Sequence, residues 1–530
     1  MRISTRSIFS LVVAGAVTGG TLACSLALDF LQCRDDADCV NAAGADLVCS
    51  DNECIVPPEP STVSCAAASE CVDALGDNHV CNGGTCAALT SEECTEAFLP
   101  SGADPNSVVW VGSVLATSSP FDEIGLPLQN AVRLAVSDFN SVATVGGNEV
   151  GVIFCDTQGS TSVAEDAVDH LIAAGVQVIV GPTFSEEVLA VTDAVVDAGV
   201  FMISPTASSK DITDLDDNGL VWRTISSDVH QAAGLTDLVS ELDPDPSTVV
   251  LLVKDDNYGN GILSDVTEPL VARIPGLVTL KYSDPASFSS NDDLLAEYGN
   301  RIATAISAEP DTVVVIGTSE ARELILFYLD SWADLPGPPT LPRFIVTHGG
   351  VLVMEDIIAA VAESFRPALM AKVQGVAPIV QDDDNFAEYN IRYKIRFDDE
   401  QPLTISSLSY DAAMVSLLAM AGAGASPTGS TVAEQMARLV DPAGTALRFG
   451  GAGVKFVSDG VTVLNDGGTL DLQGVSGPLD FNLTTGEVRV NLVNWGLVPR
   501  DSTNQARLDP LQNYILDAPP AVSGTWTPLE

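Results

Sequence analysis

From residue 107 onward, short apolar runs alternate with longer stretches in which apolar residues recur every three or four positions. The longer pattern buries one face of a helix, and unbroken runs of four to eight apolar residues suit strands covered on both sides. The runs at 108–115, 150–154, 176–180, 200–203, 249–254, 278–282, 312–316, 344–347 and 373–377 predict nine strands. Helices are predicted from about residue 126, and near 162–174, 183–198, 259–273, 291–308, 319–332 and 354–364. Repeated strand–helix–strand units mean parallel sheets covered by helices. Nine strands are many for one open sheet, and the alternation breaks near Asp228. The predicted architecture is therefore α/β, with two doubly wound parallel-sheet lobes.

The most informative unit is 178–208, VIVGPTFSEEVLAVTDAVVDAGVFMISPTAS. One apolar run stops at Gly181-Pro182 and the next at Ser204-Pro205, so small and hydroxyl residues collect where the strands end. In a parallel sheet those ends share the edge at which ligands bind. Thr183-x-x-Glu186 and Ser208-x-x-Asp211 both have capping-box spacing. A helix N-terminus offers unpaired N–H groups and partial positive charge, which suits an anion. Hydroxyls that only cap helices are the competing reading.

Composition narrows the partners. The 530 residues amount to three or four units of domain size, and 46% are hydrophobic, enough for a large core. Lys+Arg number 23 against 72 Asp+Glu, a formal net charge of −49. That excludes nucleic acid and anionic lipid surfaces as partners, since phosphate binding requires Lys/Arg clusters. The acid is spread along the chain, where it favours solubility.

Residues 1–23 read as a targeting segment, with Arg2 and Arg6 before the apolar stretch 8–20 and Thr21-Leu22-Ala23 before Cys24. This resembles a bacterial lipoprotein signal, which implies acylation of Cys24; ordinary cleavage after Ala23 is the alternative. No later run reaches the ~18 apolar residues of a membrane-spanning helix. Ten of the eleven cysteines precede residue 95. Cys33, Cys39, Cys49 and Cys54 have the spacing C-x5-C-x9-C-x4-C, and Cys65, Cys71, Cys81 and Cys86 repeat it 32 positions later. Neither copy holds enough apolar residues for a core, so each calls for two disulfides, of undetermined connectivity. Zinc binding is the rival reading, weakened by the absence of C-x2-C pairs. With Cys24 acylated, Cys94 and Cys155 are left as a pair. The modules read as a stalk with the Pro-rich joint 55–62 between them.

Five segments in order carry a family resemblance: 109–125, Gly181-Pro182-Thr183-Phe184-Ser185, Ile203-Ser204-Pro205-Thr206-Ala207-Ser208, Trp222-Arg223-Thr224 with Asp228 and Gln231, and Asn257-Tyr258-Gly259. Ser409-Tyr410-Asp411-Ala412-Ala413 follows later. Over roughly 107–500 the chain resembles the type I periplasmic ligand-binding proteins, in the leucine/isoleucine/valine-binding branch of ABC-transporter receptors. The resemblance implies two lobes joined by three crossing strands, with ligand closed between them. It implies that Ser185 hydrogen-bonds a ligand carboxylate, Thr206 offers backbone groups, Ser208 its hydroxyl, and Tyr258 closes from the second lobe. Ser119 is expected on the same edge, and His348 as a reader of a ligand acceptor.

The expected organisation is a signal segment (1–23) and a stalk (24–106, repeats 33–54 and 65–86). Lobe 1 takes 107–228 and 385–470, lobe 2 takes 229–384 and 471–500, and 501–530 form a tail. Amino-acid binders of the family carry an acid in the loop after the strand here at 344–347, and this chain has His348-Gly349-Gly350. A ligand ammonium would need Asp122, Glu123 or Asp256 instead. Ile124 also stands where an aromatic is common.

Other signals fail. The calcium-loop start at Asp214 lacks Glu at position twelve, which is Ile225. None of the four histidines has H-E-x-x-H spacing, and no G-x-S-x-G elbow or phosphate-binding loop is present. No nucleophile–base pair can be placed, so the chain is expected to be no enzyme and to need no cofactor or metal. The reading is a lipid-anchored solute-binding protein of the periplasm, sorted to the outer membrane, that takes an amino-acid-like or carboxylate ligand for an ABC permease or a sensor. The alternative is an envelope interaction protein that uses the same fold without a small ligand.

Overall fold

The computed structural model describes residues 48–50, 53–55, 63–76, 78–99, 103, 108–288, 290–378, 384–450, 453–500 and 505–529. Contacts divide the chain into Met1–Thr62 and Val63–Glu530. In the first unit the described backbone is one antiparallel hairpin, Val48–Ser50 with Glu53–Ile55, that sets Cys49 opposite Cys54. Cys24, Cys33 and Cys39 lie outside the described residues.

The second unit opens with the second cysteine module. Its hairpin, His79–Asn82 with Thr85–Ala88, sets Cys81 opposite Cys86, the register of the first hairpin 32 positions on. The open connectivity is Cys65–Cys81 and Cys71–Cys86, and Cys94 is bonded to Cys155. The sulfurs of Cys65, Cys71 and Cys86 lie within 4.8 Å because the two crosslinks stack. This module is no free stalk. Val80, Leu89 and Cys94 are buried among Trp110, Ala164, Leu171 and Ile179, and Asn82 donates to the Ala173 carbonyl (3.0 Å). Glu96–Phe98 then adds an antiparallel edge strand to the first lobe's sheet, inside the span read as stalk.

Lobe 1 is an eight-stranded sheet in the order Phe481–Asn482, Glu487–Val488, Val221–Arg223, Phe201–Ser204, Val178–Val180, Val108–Leu115, Glu149–Asp156, Glu96–Phe98. Its five central strands are parallel. Alternate residues of one strand enter opposite cores: Val150, Val152 and Phe154 pack with Phe139 and Tyr410, whereas Ile153 and Cys155 pack with Val168 and Val188. Two-sided burial is why these strands read as unbroken apolar runs.

Lobe 2 repeats the plan, in the order Gly276–Tyr282, Thr248–Lys254, Thr312–Ile316, Arg343–Val346, Val373–Pro378, Leu492–Pro499, Ala506–Leu516, Gly524–Pro528. The first five strands are parallel and the last three antiparallel. Val250 and Leu252 face one core, Val249, Leu251 and Val253 the other.

Two boundaries are corrected. Residues 506–528 are no tail: Tyr514 and Trp526 are buried in the lobe 2 core, ring against ring at 4.9 Å. Residues 471–488 belong to lobe 1, since Leu472, Leu479, Phe481 and Val488 are in its core and Phe481 packs edge-on to Trp222. The chain crosses between lobes after Arg223, after Pro378 and after Val488. Among the described residues no helix is long and apolar enough to cross a membrane.

Candidate functional site

Both sheets turn the C-terminal ends of their parallel strands toward one cavity. It is lined after Val108–Leu115 by Ala116, after Val178–Val180 by Thr183 to Glu187, and after Phe201–Ser204 by Thr206 and Ser208. From the other lobe come Lys254 and Asp256, Tyr258, Asp284, Thr318 and His348, again at strand ends. The lobes enclose a cavity of ≈ 80 Å³, room for several waters. Each lobe uses one glycine to bring the helix that follows its first parallel strand this close. A Cβ on Gly125 would lie 1.7 Å from the Ala116 carbonyl oxygen, and one on Gly259 2.1 Å from that of Lys254.

The lobe 1 wall is built from backbone and hydroxyls. The helix Ser185–Ala198 begins one residue later than its capping-box spacing predicts, with Phe184 at the N-cap in place of Thr183. Glu187, not Glu186, reaches back to the Phe184 N–H (3.0 Å), because the Thr183 hydroxyl is spent accepting from the Ala116 N–H (3.0 Å). Ser185 is buried, and its oxygen accepts from the Ser209 N–H (3.1 Å), which leaves its proton for another acceptor. The Thr206 hydroxyl donates to the Thr183 carbonyl (2.6 Å). The cap of the short 3₁₀ turn Lys210–Ile212 is Ser209 rather than Ser208. The Ser208 hydroxyl donates instead to Asp228 (3.0 Å), which leaves its oxygen lone pairs for the cavity. Arg223 underpins this loop: fully buried and paired with Glu487, it donates to the Ser209 carbonyl (2.7 Å) and the Thr213 hydroxyl (2.7 Å).

The lobe 2 wall is ionic. Lys254 ends its strand inside the cavity, held by Asp256 (2.9 Å) and Asp284 (2.6 Å), with its ammonium 5.6 Å from the centre of the Phe184 ring. Burial opposes its charge, but the carboxylates of Asp256, Glu320 and Asp284 outweigh burial and raise its pKa. Asp256 also accepts the Gly259 N–H (2.7 Å), capping the helix Asn257–Arg273. Tyr258, buried, stands edge-on to His348 at 5.2 Å. Burial lowers the His348 pKa to about 4, and raises those of Asp228 and Glu187 to about 7.

Contacts beside the cavity also pin the lobes together. Glu186 accepts the Asn257 N–H (3.0 Å), and Lys210 reaches Ser264 (2.5 Å) and Asp265 (2.6 Å).

Of the six residues expected at the site, Ser185, Thr206, Ser208, Tyr258 and His348 line the cavity and Ser119 does not. The chain turns at 118–121, with the Phe121 N–H on the Ser118 carbonyl (2.9 Å), so the Phe121 ring faces the cavity. Ser119 lines a neighbouring groove, together with Asp122 and Glu123, two of the acids considered for a ligand ammonium. The third, Asp256, is in the cavity but paired with Lys254. Sequence reasoning missed Lys254, Asp284 and Glu186. The available signal was a lysine closing an apolar run in a chain with only 23 Lys+Arg.

A model of the periplasmic binding protein family matches residues 108–322. A Leu/Ile/Val-binding protein of Rhizobium johnstonii is 28% identical over 126 residues, 23% of this chain and 34% of the relative. A leucine-, isoleucine-, valine-, threonine- and alanine-binding protein of Pseudomonas aeruginosa is 29% identical over 168 residues, 31% of this chain and 43% of the relative. The matches thus span less than half the length of these curated relatives. Among solved structures, a leucine-binding protein of Thermotoga maritima superposes with a TM-score of 0.57 at 16% identity, covering 76% of this chain and 98% of that one. A solute-binding protein of an ABC transporter from Rhodopseudomonas palustris, in complex with 3,4-dihydroxybenzoic acid, gives 0.58 at 15% identity, covering 77% and 97%.

Proposed function

We propose that this chain, which belongs to the type I periplasmic binding proteins in their leucine/isoleucine/valine branch, is an extracytoplasmic solute-binding protein that closes its two lobes over a small amino-acid-like or carboxylate ligand. One observation carries the reading: strand ends of both lobes converge on a single cavity, with a free hydroxyl proton on Ser185 at a helix start and Tyr258, Lys254 and His348 opposite. Ligand that bridges the walls would favour the closed form by its differential affinity. Ser185 is proposed to donate to the ligand carboxylate, Thr206 to offer its backbone and Tyr258 to close the far side. Acylated Cys24 is proposed to tether the protein to the envelope, where an ABC permease or a sensor reads the closed form.

The test is a thermal-shift screen of the purified chain against amino acids and small carboxylates. A ligand at a hundredfold excess over its Kd is expected to stabilise by about 2.7 kcal/mol. No shift with any of them would favour the second reading, an envelope interaction protein without a small ligand. That reading has its own support: the charges of the lobe 2 wall already satisfy one another, Lys254 with Asp256 and Asp284.

A further inference from the structure

Gln231 stands behind the cavity wall and has its orientation set from two sides. The backbone N–H of His348 requires an acceptor, and Gln231 Oε1 meets it at 2.8 Å. Asp228 Oδ1 requires a donor, and Gln231 Nε2 meets it at 2.8 Å. The second hydrogen of Nε2 is then aimed at His348 Nδ1, 3.1 Å away. Nδ1 must accept that bond, so it carries no proton, and the proton of the neutral ring sits on Nε2. The Tyr258 hydroxyl, 3.4 Å from the same Nδ1, can turn its proton toward it as a second donor, so the tautomer is set by Gln231. A charged ring would set Nδ1–H against Gln231 N–H, and burial already pulls the ring toward the neutral form.

The other edge of the ring is unspoken for. No described residue hydrogen-bonds His348 Nε2, and the ring lines both the cleft cavity and an adjoining cavity among the crossing segments. We infer that His348 is a specificity residue that presents a neutral, donor-only Nε2–H to the ligand, and that Gln231, backed by Asp228, is the positioning residue that fixes this tautomer. The inference rests on the ligand-binding reading above and sharpens it. The ligand group that meets His348 is an acceptor oxygen (carboxylate, carbonyl, hydroxyl or phenol), and an ammonium is excluded from that spot because two donors would face each other.

The experiment uses the full chain labelled with ¹⁵N in its histidine rings, with long-range ¹H–¹⁵N spectra recorded between about pH 6 and 8, the range where an ordinary histidine titrates. His348→Phe assigns the signal. The expected spectrum is a neutral ring protonated on Nε2 across the range; a ring protonated on Nδ1, or charged, overturns the inference. Gln231→Glu, nearly isosteric, replaces the donor with an acceptor and is expected to move the proton to Nδ1. Calorimetry then compares leucine, its 2-oxo and 2-hydroxy analogues, and 3,4-dihydroxybenzoate as probes. Any oxygen-bearing probe bound by the unaltered chain is expected to weaken about tenfold or more in Gln231→Glu and in His348→Phe, the loss of one hydrogen bond to a ligand oxygen. Should Gln231→Glu not fold, His348→Phe carries the affinity comparison. Probe binding that ignores both substitutions sinks this inference alone. Failure of every probe with the unaltered chain sinks the receptor reading, and the ligand half of the inference with it.

Discussion

Lobe 1 meets the cavity with hydroxyls and backbone at the start of a helix, whereas lobe 2 meets it with ionised side chains buried against one another. The scaffolds are alike: parallel strands, two-sided cores, and a glycine that lets the helix after the first parallel strand touch a strand end. The difference lies in how each wall keeps polar groups dry. Hydroxyls bonded to local backbone cost little to bury and leave a proton or lone pair over. An ammonium between two carboxylates is neutralised within its own wall, so any one member is costly to remove.

The largest expected effect therefore falls on lobe 2. Lys254→Met leaves Asp256 and Asp284 facing each other without a countercharge and is expected to destabilise by about 3–5 kcal/mol in urea unfolding. A loss below about 1 kcal/mol, the worth of an exposed pair, would mean that the wall is wetter than its burial indicates. The mirror experiment is Ser185→Ala. It should cost the fold about 1 kcal/mol, since the Ser209 N–H loses its acceptor, while weakening a carboxylate ligand about tenfold or more. Equal losses of stability from the two substitutions would erase the contrast.

That contrast also marks what the sequence could express. The strands were legible because burial on both faces makes them unbroken apolar runs, and the hydroxyl wall because Ser185, Thr206 and Ser208 follow those runs within a few residues. Lys254, Asp256 and Asp284 looked like ordinary polar residues after strands. Their meeting depends on the strands Thr248–Lys254 and Gly276–Tyr282 lying side by side with Lys254 level with Tyr282, a register that periodicity does not report. The capping-box spacing at Thr183 misled because the competing acceptor site, the Ala116 N–H, belongs to a distant strand end. The span 506–528 escaped because antiparallel edge strands with one wet face show only scattered apolar residues, such as Tyr514 and Trp526.

Acidity separates the walls next. Burial raises Glu187 on lobe 1 and Asp228 at the crossing to about 7, above their unfolded values, so the folded chain takes up protons first as pH falls. Their contribution is lost as pH rises through about 7 and is fully present below the ordinary carboxylate range of about 4. His348 is lowered to about 4 and works the other way: it contributes fully above about 6.5, the unfolded value, and its contribution is lost as pH falls from there through about 4. From these three groups the expected outcome is a stability, read by thermal melting, that changes little between pH 8 and about 7 and then rises as pH falls toward about 4. The slope is up to about 1.4 kcal/mol per pH unit for each proton taken up, with the two carboxyls outweighing His348 below about 6.5. Asp228→Asn should reduce that rise; an unchanged profile would place the titration elsewhere.

The smallest effect concerns the pins between the walls, and it discriminates by salt. Lys210 reaches across to Asp265 with both side chains about one-third exposed, so the pair is worth about 0–1 kcal/mol and is screened as ionic strength rises. Glu186 accepts the Asn257 N–H beside the cavity, where salt penetrates less and burial holds the carboxyl pKa up. Lys210→Ala is expected to weaken ligand binding by no more than about fivefold at low salt and not at all in about 0.5 M salt. Glu186→Gln keeps the acceptor oxygen but removes the charge, so its effect should be small and nearly independent of salt. Titration calorimetry of both variants at two ionic strengths reads the difference directly. A Lys210→Ala defect that survives high salt would show that the outer pin acts through packing on the helix Asn257–Arg273, and that lobe 1 too relies on a desolvated charge.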